Sequence, residues 1–100
     1  MKFGEALEII ENGGFVARKG WNGKGMFLWL LPPTEVKAEW AKDPILLALA
    51  ERNGGTIPAL ASIRMYTAGG EVLTGWLASQ SDMLADDWKE VFPFDSFARD

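Results

Sequence analysis

One segment of this chain reads Ala17-Arg18-Lys19-Gly20-Trp21-Asn22-Gly23-Lys24-Gly25-Met26, and it joins two apolar runs that are typical of strands. Asn22-Gly23 alone would turn the chain, because both residue types tolerate a positive φ. A turn does not need the cations, the other glycines or the indole of this segment, so we interpret these residues by their chemistry. Glycines let a ligand approach the backbone, cations attract anions, and an indole face stacks on a base. We therefore interpret the segment as a loop that holds a small phosphorylated nucleotide.

The runs on either side of this loop predict strands. Residues 15–17 enter the loop and residues 26–31 leave it. The second run is apolar on both faces, so it predicts a central strand that is covered on each side. Upstream, apolar residues recur at helical spacing between residues 3 and 10 and predict a short amphipathic helix, which Asn12-Gly13-Gly14 ends.

Residues 34–56 predict a helical insertion. Asp43 is suited to the N-cap and Pro44 to the first helical position, apolar residues follow, and Asn53-Gly54-Gly55 closes the helix. The helix is apolar on most sides. Two interpretations follow, a core helix or a contact between subunits.

The remainder of the chain predicts a hairpin, a short helix and a last strand. Residues 63–67 and 71–73 would pair around Gly69-Gly70, Ser79 or Ser81 would cap a helix through residue 85, and residues 88–91 would form an edge strand. The predicted fold class is α+β, with a small antiparallel sheet, an N-terminal helix, the mid-chain insertion and a short helix near the C-terminus. One domain over residues 1–100 fits this length.

Composition excludes several kinds of chemistry. The chain of 100 residues has no cysteine and no histidine, which excludes disulfides, thiolate catalysis, imidazole bases and Cys/His zinc sites. The net charge of −4 argues against non-specific binding to nucleic acid polymers or anionic membranes. Without a signal sequence or a long apolar run, we expect a soluble, unexported protein.

The carboxylates near the C-terminus suggest a rival function. Asp82, Asp86 and Asp87 could hold a divalent metal in a nucleotide hydrolase. They span one helical turn, however, so we interpret Asp86 and Asp87 as an exposed polar face. Trp21 and Trp76 each follow a glycine, and each has two interpretations, stacking on a ligand or packing in the core.

Three stretches together resemble the phage Thoeris anti-defence 2 family. They are residues 3–7, residues 17–26, and Gly75-Trp76-Leu77-Ala78-Ser79-Gln80-Ser81-Asp82-Met83-Leu84-Ala85-Asp86-Asp87-Trp88. The resemblance implies a non-catalytic protein without a cofactor or metal. It would bind the cyclic ADP-ribose isomer made by a bacterial TIR-domain protein and keep the defence effector switched off. Members of the family form homotetramers with ligand sites at subunit junctions, and some hold cyclic dinucleotides at a separate site.

The resemblance also implies which residues bind the ligand. Trp21 would stack, Asp82 would accept hydrogen bonds from ribose hydroxyls or a base, and backbone N–H groups of residues 79–82 could meet a phosphate. The matching positions are Arg18, Lys19, Trp21, Asn22, Lys24, Trp76, Ser79, Gln80, Ser81, Asp82 and Met83.

The expected partner is therefore a cyclic nucleotide signal, bound by a homo-oligomer in the cytoplasm of the infected host. Two alternatives stay open. One is a sponge for the cyclic dinucleotides of CBASS-type defence. The other is a structural phage module that interacts with proteins through the predicted helix at residues 44–52.

Overall fold

The structure, a computed structural model, describes residues 1–21 and 25–94. The predicted turn at Asn22-Gly23 and the predicted ligand residue Lys24 lie outside the described residues. The helices are α1 (Phe3–Glu11), α2 (Pro44–Arg52) and α3 (Gln80–Leu84), and Ala38–Trp40 forms a 3₁₀ turn. The strands are β1 (Phe15–Arg18), β2 (Phe27–Leu31), β3 (Thr34–Lys37), β4 (Thr56–Ala59), β5 (Ser62–Tyr66), β6 (Val72–Thr74) and β7 (Trp88–Val91).

The chain forms two compact units, and the first holds the main sheet. It comprises residues 1–31 and the described part of residues 62–100. Five antiparallel strands lie in the order β6-β5-β2-β1-β7. The apolar run of β2 is the central strand and β7 is an edge strand, which confirms both predictions. The α+β class is likewise confirmed.

One face of this sheet carries the core. Val16 pairs with Leu28 and Leu28 with Met65, so these three side chains share a face, and α1 packs on it. Because side chains alternate along a strand, Ala17, Phe27 and Lys89 point to the other face. The buried core consists of Ala6, Ile10, Val16, Leu28, Met65 and Trp88.

The second unit, Pro32–Ala61, contains the predicted insertion. Asp43 Oδ1 accepts the N–H of Ile45 at 2.9 Å and α2 begins at Pro44, as predicted. Strands β3 and β4 pair as a two-stranded antiparallel sheet that the sequence analysis did not predict. Within α2 the buried residue is Ala50, whereas Ile45 is 69% exposed. The helix is therefore buried on one side only, and both the core-helix interpretation and the subunit contact stay predictions.

A membrane span is not found in the part of the chain that the structure describes. No helix there is both long enough and apolar enough to cross a bilayer.

Candidate functional site

Four aromatic rings meet on the core face at the root of the glycine-rich loop. The indole of Trp88 is 1% exposed, and the rings of Phe3, Trp21 and Trp76 lie 5.2, 5.3 and 6.3 Å from it, centroid to centroid. Trp21 and Trp76 meet it edge to face, which is a favoured geometry for aromatic pairs. Both are partly buried, so packing contributes to the role of each. Stacking of Trp21 on a ligand stays a prediction.

Arg18 joins the two longer sequence blocks. Its Nη1 lies 2.8 Å from Asp82 Oδ1 and its Nε lies 2.9 Å from Asp87 Oδ1. One guanidinium at the end of β1 therefore holds both α3 and the residue that precedes β7. Arg18 and Asp82, both predicted as ligand contacts, bind each other in the structure.

Asp82 is also part of a capping box at the start of α3. Its Oδ2 accepts the Ser79 N–H at 3.1 Å and the Ser79 hydroxyl at 2.9 Å, and Ser79 Oγ accepts the Asp82 N–H at 3.1 Å. The capping role predicted for Ser79 is confirmed. Two of the N–H groups that were predicted to meet a phosphate are therefore already hydrogen-bonded within the chain.

Asp87 departs from its predicted place on an exposed polar face. It is half-buried, and besides Arg18 its carboxylate accepts the Gly20 N–H at 3.0 Å. The neighbouring Asp86 is exposed, as predicted. Across residues 1–21 and 25–94, no group of three or more His, Cys, Asp or Glu side chains is placed to hold a metal ion.

These ion pairs shift the acid–base properties of all three groups. Hydrogen bonds to Asp87 and then to Asp82 raise the pKa of Arg18. Burial by itself raises the pKa of Asp82, but the hydrogen bonds from Arg18 and Ser79 outweigh it and leave that pKa below its usual value. The hydrogen bond from Arg18 lowers the pKa of Asp87 against a smaller effect of burial. Both aspartates are therefore charged at neutral pH.

The lowered pKa of Asp82 gives a testable pH dependence. Its ionised form stabilises the fold at a pH above the unfolded value of about 3.9, and this contribution is lost as the pH falls through the lower, folded value. We expect Asp82→Asn to unfold at a lower temperature than the wild type at pH 7, and the gap to narrow below about pH 4. Thermal unfolding followed by circular dichroism from pH 7 to pH 2.5 measures it. The control Asp86→Asn should follow the wild type at each pH, and a gap of constant size for Asp82→Asn would contradict the role of the ion pair.

A cavity of about 330 Å³ lies beside β1 and β7 in the first unit. Lys19, Lys89 and Trp21 are among the residues that line it. Ala17 and Lys89 are direct partners in the β1–β7 ladder, which places Lys89 beside the loop. Arg18, Phe27 and Phe92 also line the cavity. It combines an apolar floor with a few positive groups, as ligand sites commonly do.

The structure brings together some of the predicted site residues. Arg18, Lys19 and Trp21 line the cavity. Among the residues that are described, the second block contributes none to this lining: Gln80, Ser81 and Met83 are exposed on α3. The second block reaches the loop instead through Asp82 on Arg18 and Trp76 against Trp21. Asn22 and Lys24 lie outside the described residues.

Of the lining residues that sequence reasoning did not predict, four come from β7 and the segment after it. They are Lys89, Val91, Phe92 and Pro93. The available signal was the alternation of residues 88–91, which puts Lys89 and Val91 on one face. That signal does not say which strand β7 joins, and the β1 pairing is what places them at the loop.

Comparison with known proteins identifies the family of this chain. The Thoeris anti-defense 2-like domain family matches residues 1–91. A protein of Bacillus phage SP01 named Thoeris anti-defense 2 is 34% identical over 91 residues, which are 91% of this chain and 94% of that protein. The match includes the loop, the capping box and β7. The chain therefore belongs to the Thoeris anti-defense 2-like family.

Proposed function

We propose that this phage anti-defence protein binds glycocyclic ADP-ribose, a cyclic ADP-ribose-type immune signal, and sequesters it in the host cytoplasm without cleaving it. The observation that carries the proposal is the cavity in which Lys19 and Lys89 lie beside Trp21. Ammonium groups attract the pyrophosphate of such a signal, and an indole is suited to stack on its base. Membership of an anti-defence family supports the same function.

The chemistry of the carboxylates favours binding over hydrolysis. Asp82 and Asp87 share the guanidinium of Arg18, and their pKa values are lowered. A carboxylate that is held in its charged form is a weak general base near neutral pH. The sequence offers no histidine or cysteine in its place.

We further propose that copies of the chain assemble, as a homotetramer, and that a neighbouring copy completes the ligand site. The cavity of one chain is near the lower end of the range of about 300–1,000 Å³ for ligand sites. A cyclic ADP-ribose isomer would be only partly enclosed there. Exposed apolar side chains support a contact between copies, with Leu77 at 88%, Leu84 at 80% and Phe92 at 71% exposure.

Recovery of the bound signal tests sequestration against cleavage. The protein is incubated with purified glycocyclic ADP-ribose, separated from free ligand, denatured by heat and examined by mass spectrometry. We expect intact ligand, because sequestration requires slow release and no chemistry. A cleaved product that is absent from ligand heated alone would contradict the proposal. Titration calorimetry with glycocyclic ADP-ribose and with cyclic dinucleotides shows which of these signals the protein binds. Absence of binding to both would favour a structural module.

A cation at the cavity should contribute to affinity. We expect Lys89→Ala to weaken binding of glycocyclic ADP-ribose roughly tenfold, since a hydrogen bond to a charged group is lost. The loss should shrink at high salt, because salt screens exposed charges. Titration calorimetry at two salt concentrations measures it. The matched control is Lys42→Ala, which removes an exposed lysine of the second unit and should leave the affinity unchanged.

A further inference from the structure

We infer that Asp87 is a positioning residue that fixes the turn Arg18–Trp21 so that Lys19 and Trp21 are presented to the cavity. The inference rests on the proposed function for the identity of the ligand. It assigns Asp87 a role that does not require contact with that ligand.

Asp87 holds three consecutive residues of the loop. Its Oδ1 accepts Arg18 Nε at 2.9 Å, its Oδ2 accepts the Gly20 N–H at 3.0 Å, and its carbonyl oxygen accepts the Lys19 N–H at 3.1 Å. The Trp21 N–H then donates to the Arg18 carbonyl oxygen at 3.2 Å and closes the turn. The N–H groups of Lys19, Gly20 and Trp21 are therefore all used inside the protein. They hold the turn in place instead of meeting a phosphate.

The backbone around Asp87 is itself anchored. The Met1 amine donates to the carbonyl oxygens of Asp86 at 3.1 Å and of Trp88 at 2.7 Å, and the Trp88 N–H donates to the Met1 carbonyl oxygen at 3.1 Å. Trp88 is fully buried directly after Asp87. The carboxylate thus extends from a fixed point of the sheet, which is what a positioning group requires.

Gly20 fits this arrangement because it has no side chain. A Cβ at this position would lie 3.1 Å from Asp87 Oδ2, which is tighter than ordinary contact. A side chain here would require the carboxylate to move by a few tenths of an ångström. The glycine at position 20 therefore serves the contact with Asp87.

A fixed turn affects affinity through the fraction of molecules that are ready to bind. The apparent dissociation constant rises in inverse proportion to that fraction. Asp87→Asn keeps the shape of the side chain but offers one acceptor oxygen for two donors. If the turn is then correctly placed in about one molecule in ten, affinity falls about tenfold. Fold stability should change much less, because the core residues remain in place.

The experiment compares Asp87→Asn with Asp86→Asn, which changes the adjacent, exposed carboxylate. Binding of glycocyclic ADP-ribose is measured by calorimetry, and the Lys19 and Gly20 amides are followed by NMR. We expect roughly tenfold weaker binding by Asp87→Asn alone. We also expect faster hydrogen exchange at both amides. In the wild type the chemical shift of the Gly20 amide should change when Asp87 is protonated at acid pH, and this change should be absent in Asp87→Asn. The control should match the wild type in all three measurements.

Other outcomes separate the two proposals. Unchanged affinity of Asp87→Asn would overturn the positioning role. If the wild type itself does not bind glycocyclic ADP-ribose, the proposed function fails. Hydrogen exchange at the Lys19 and Gly20 amides then tests the positioning role. Unchanged exchange in Asp87→Asn overturns that role, and faster exchange supports it.

A second variant applies if Asp87→Asn does not fold. Gly20→Ala displaces the carboxylate by a few tenths of an ångström, and its control is Gly4→Ala, where a Cβ meets nothing within 4 Å. Weaker binding and a shifted Lys19 amide for Gly20→Ala alone support the role, and equal behaviour of the two variants overturns it.

Discussion

Replacing Trp88 with alanine is expected to lower the free energy of unfolding by about 3–5 kcal/mol, the range for truncating a buried large aromatic residue. Trp88 is 1% exposed, and three other aromatic rings surround it. Domains of this size are stable by only about 5–15 kcal/mol, so the variant should lose a large part of its stability. Urea unfolding followed by circular dichroism measures the change.

Two further variants separate the causes of that loss. Trp88→Phe keeps a ring in the cluster but removes the Nε1–H that donates to the Asp82 carbonyl oxygen at 2.9 Å, so an intermediate loss of about 1–3 kcal/mol is expected. Trp40→Ala removes an indole that is 64% exposed and lies 4.6 Å from Lys37 Nζ. It should cost no more than about 1 kcal/mol. A cost equal to that of Trp88→Ala would contradict the assignment of the core.

Local chemistry explains which parts of the fold could be predicted from the sequence. The N-caps Asp43 and Ser79 accept N–H groups two and three residues away, so a short window of sequence contains both partners. Strand β2 is central because its run is apolar on both faces, which is visible without knowing its neighbours. Strands β3 and β4 were missed because β3 has a single apolar residue, Val36, and β4 contains a proline.

The parts of the site that were missed depend on contacts between distant residues. Asp87 is 69 positions from Arg18, and no local pattern distinguishes it from its neighbour Asp86. Lys89 reaches the cavity because β7 pairs with β1 in one register, and a shift by one residue would turn it to the other face. Resemblance to a family identified the two blocks of sequence. It did not show that Arg18 connects them as an ion pair.

Replacing Trp21 with leucine is expected to weaken binding of glycocyclic ADP-ribose roughly tenfold to a hundredfold, because in the proposed site the base would lose the indole on which it stacks. Leucine is preferred to alanine here because Trp21 also packs against Trp76 and Trp88. An apolar side chain keeps part of that packing, so the free energy of unfolding should fall by only about 1–2 kcal/mol. Calorimetry and urea unfolding measure the two effects on the same preparations.

Phe3→Leu is the matched control, since Phe3 belongs to the same aromatic cluster but does not line the cavity. It should reduce stability and leave affinity unchanged. Equal loss of affinity in both variants would mean that Trp21 acts only through packing. Salt gives an independent criterion, because the Debye length falls from about 10 Å at 0.1 M to about 3 Å at 1 M. The attraction of Lys19 and Lys89 for the ligand should weaken over this range of salt concentration. The factor by which Trp21→Leu reduces affinity should stay the same if the indole stacks on the ligand.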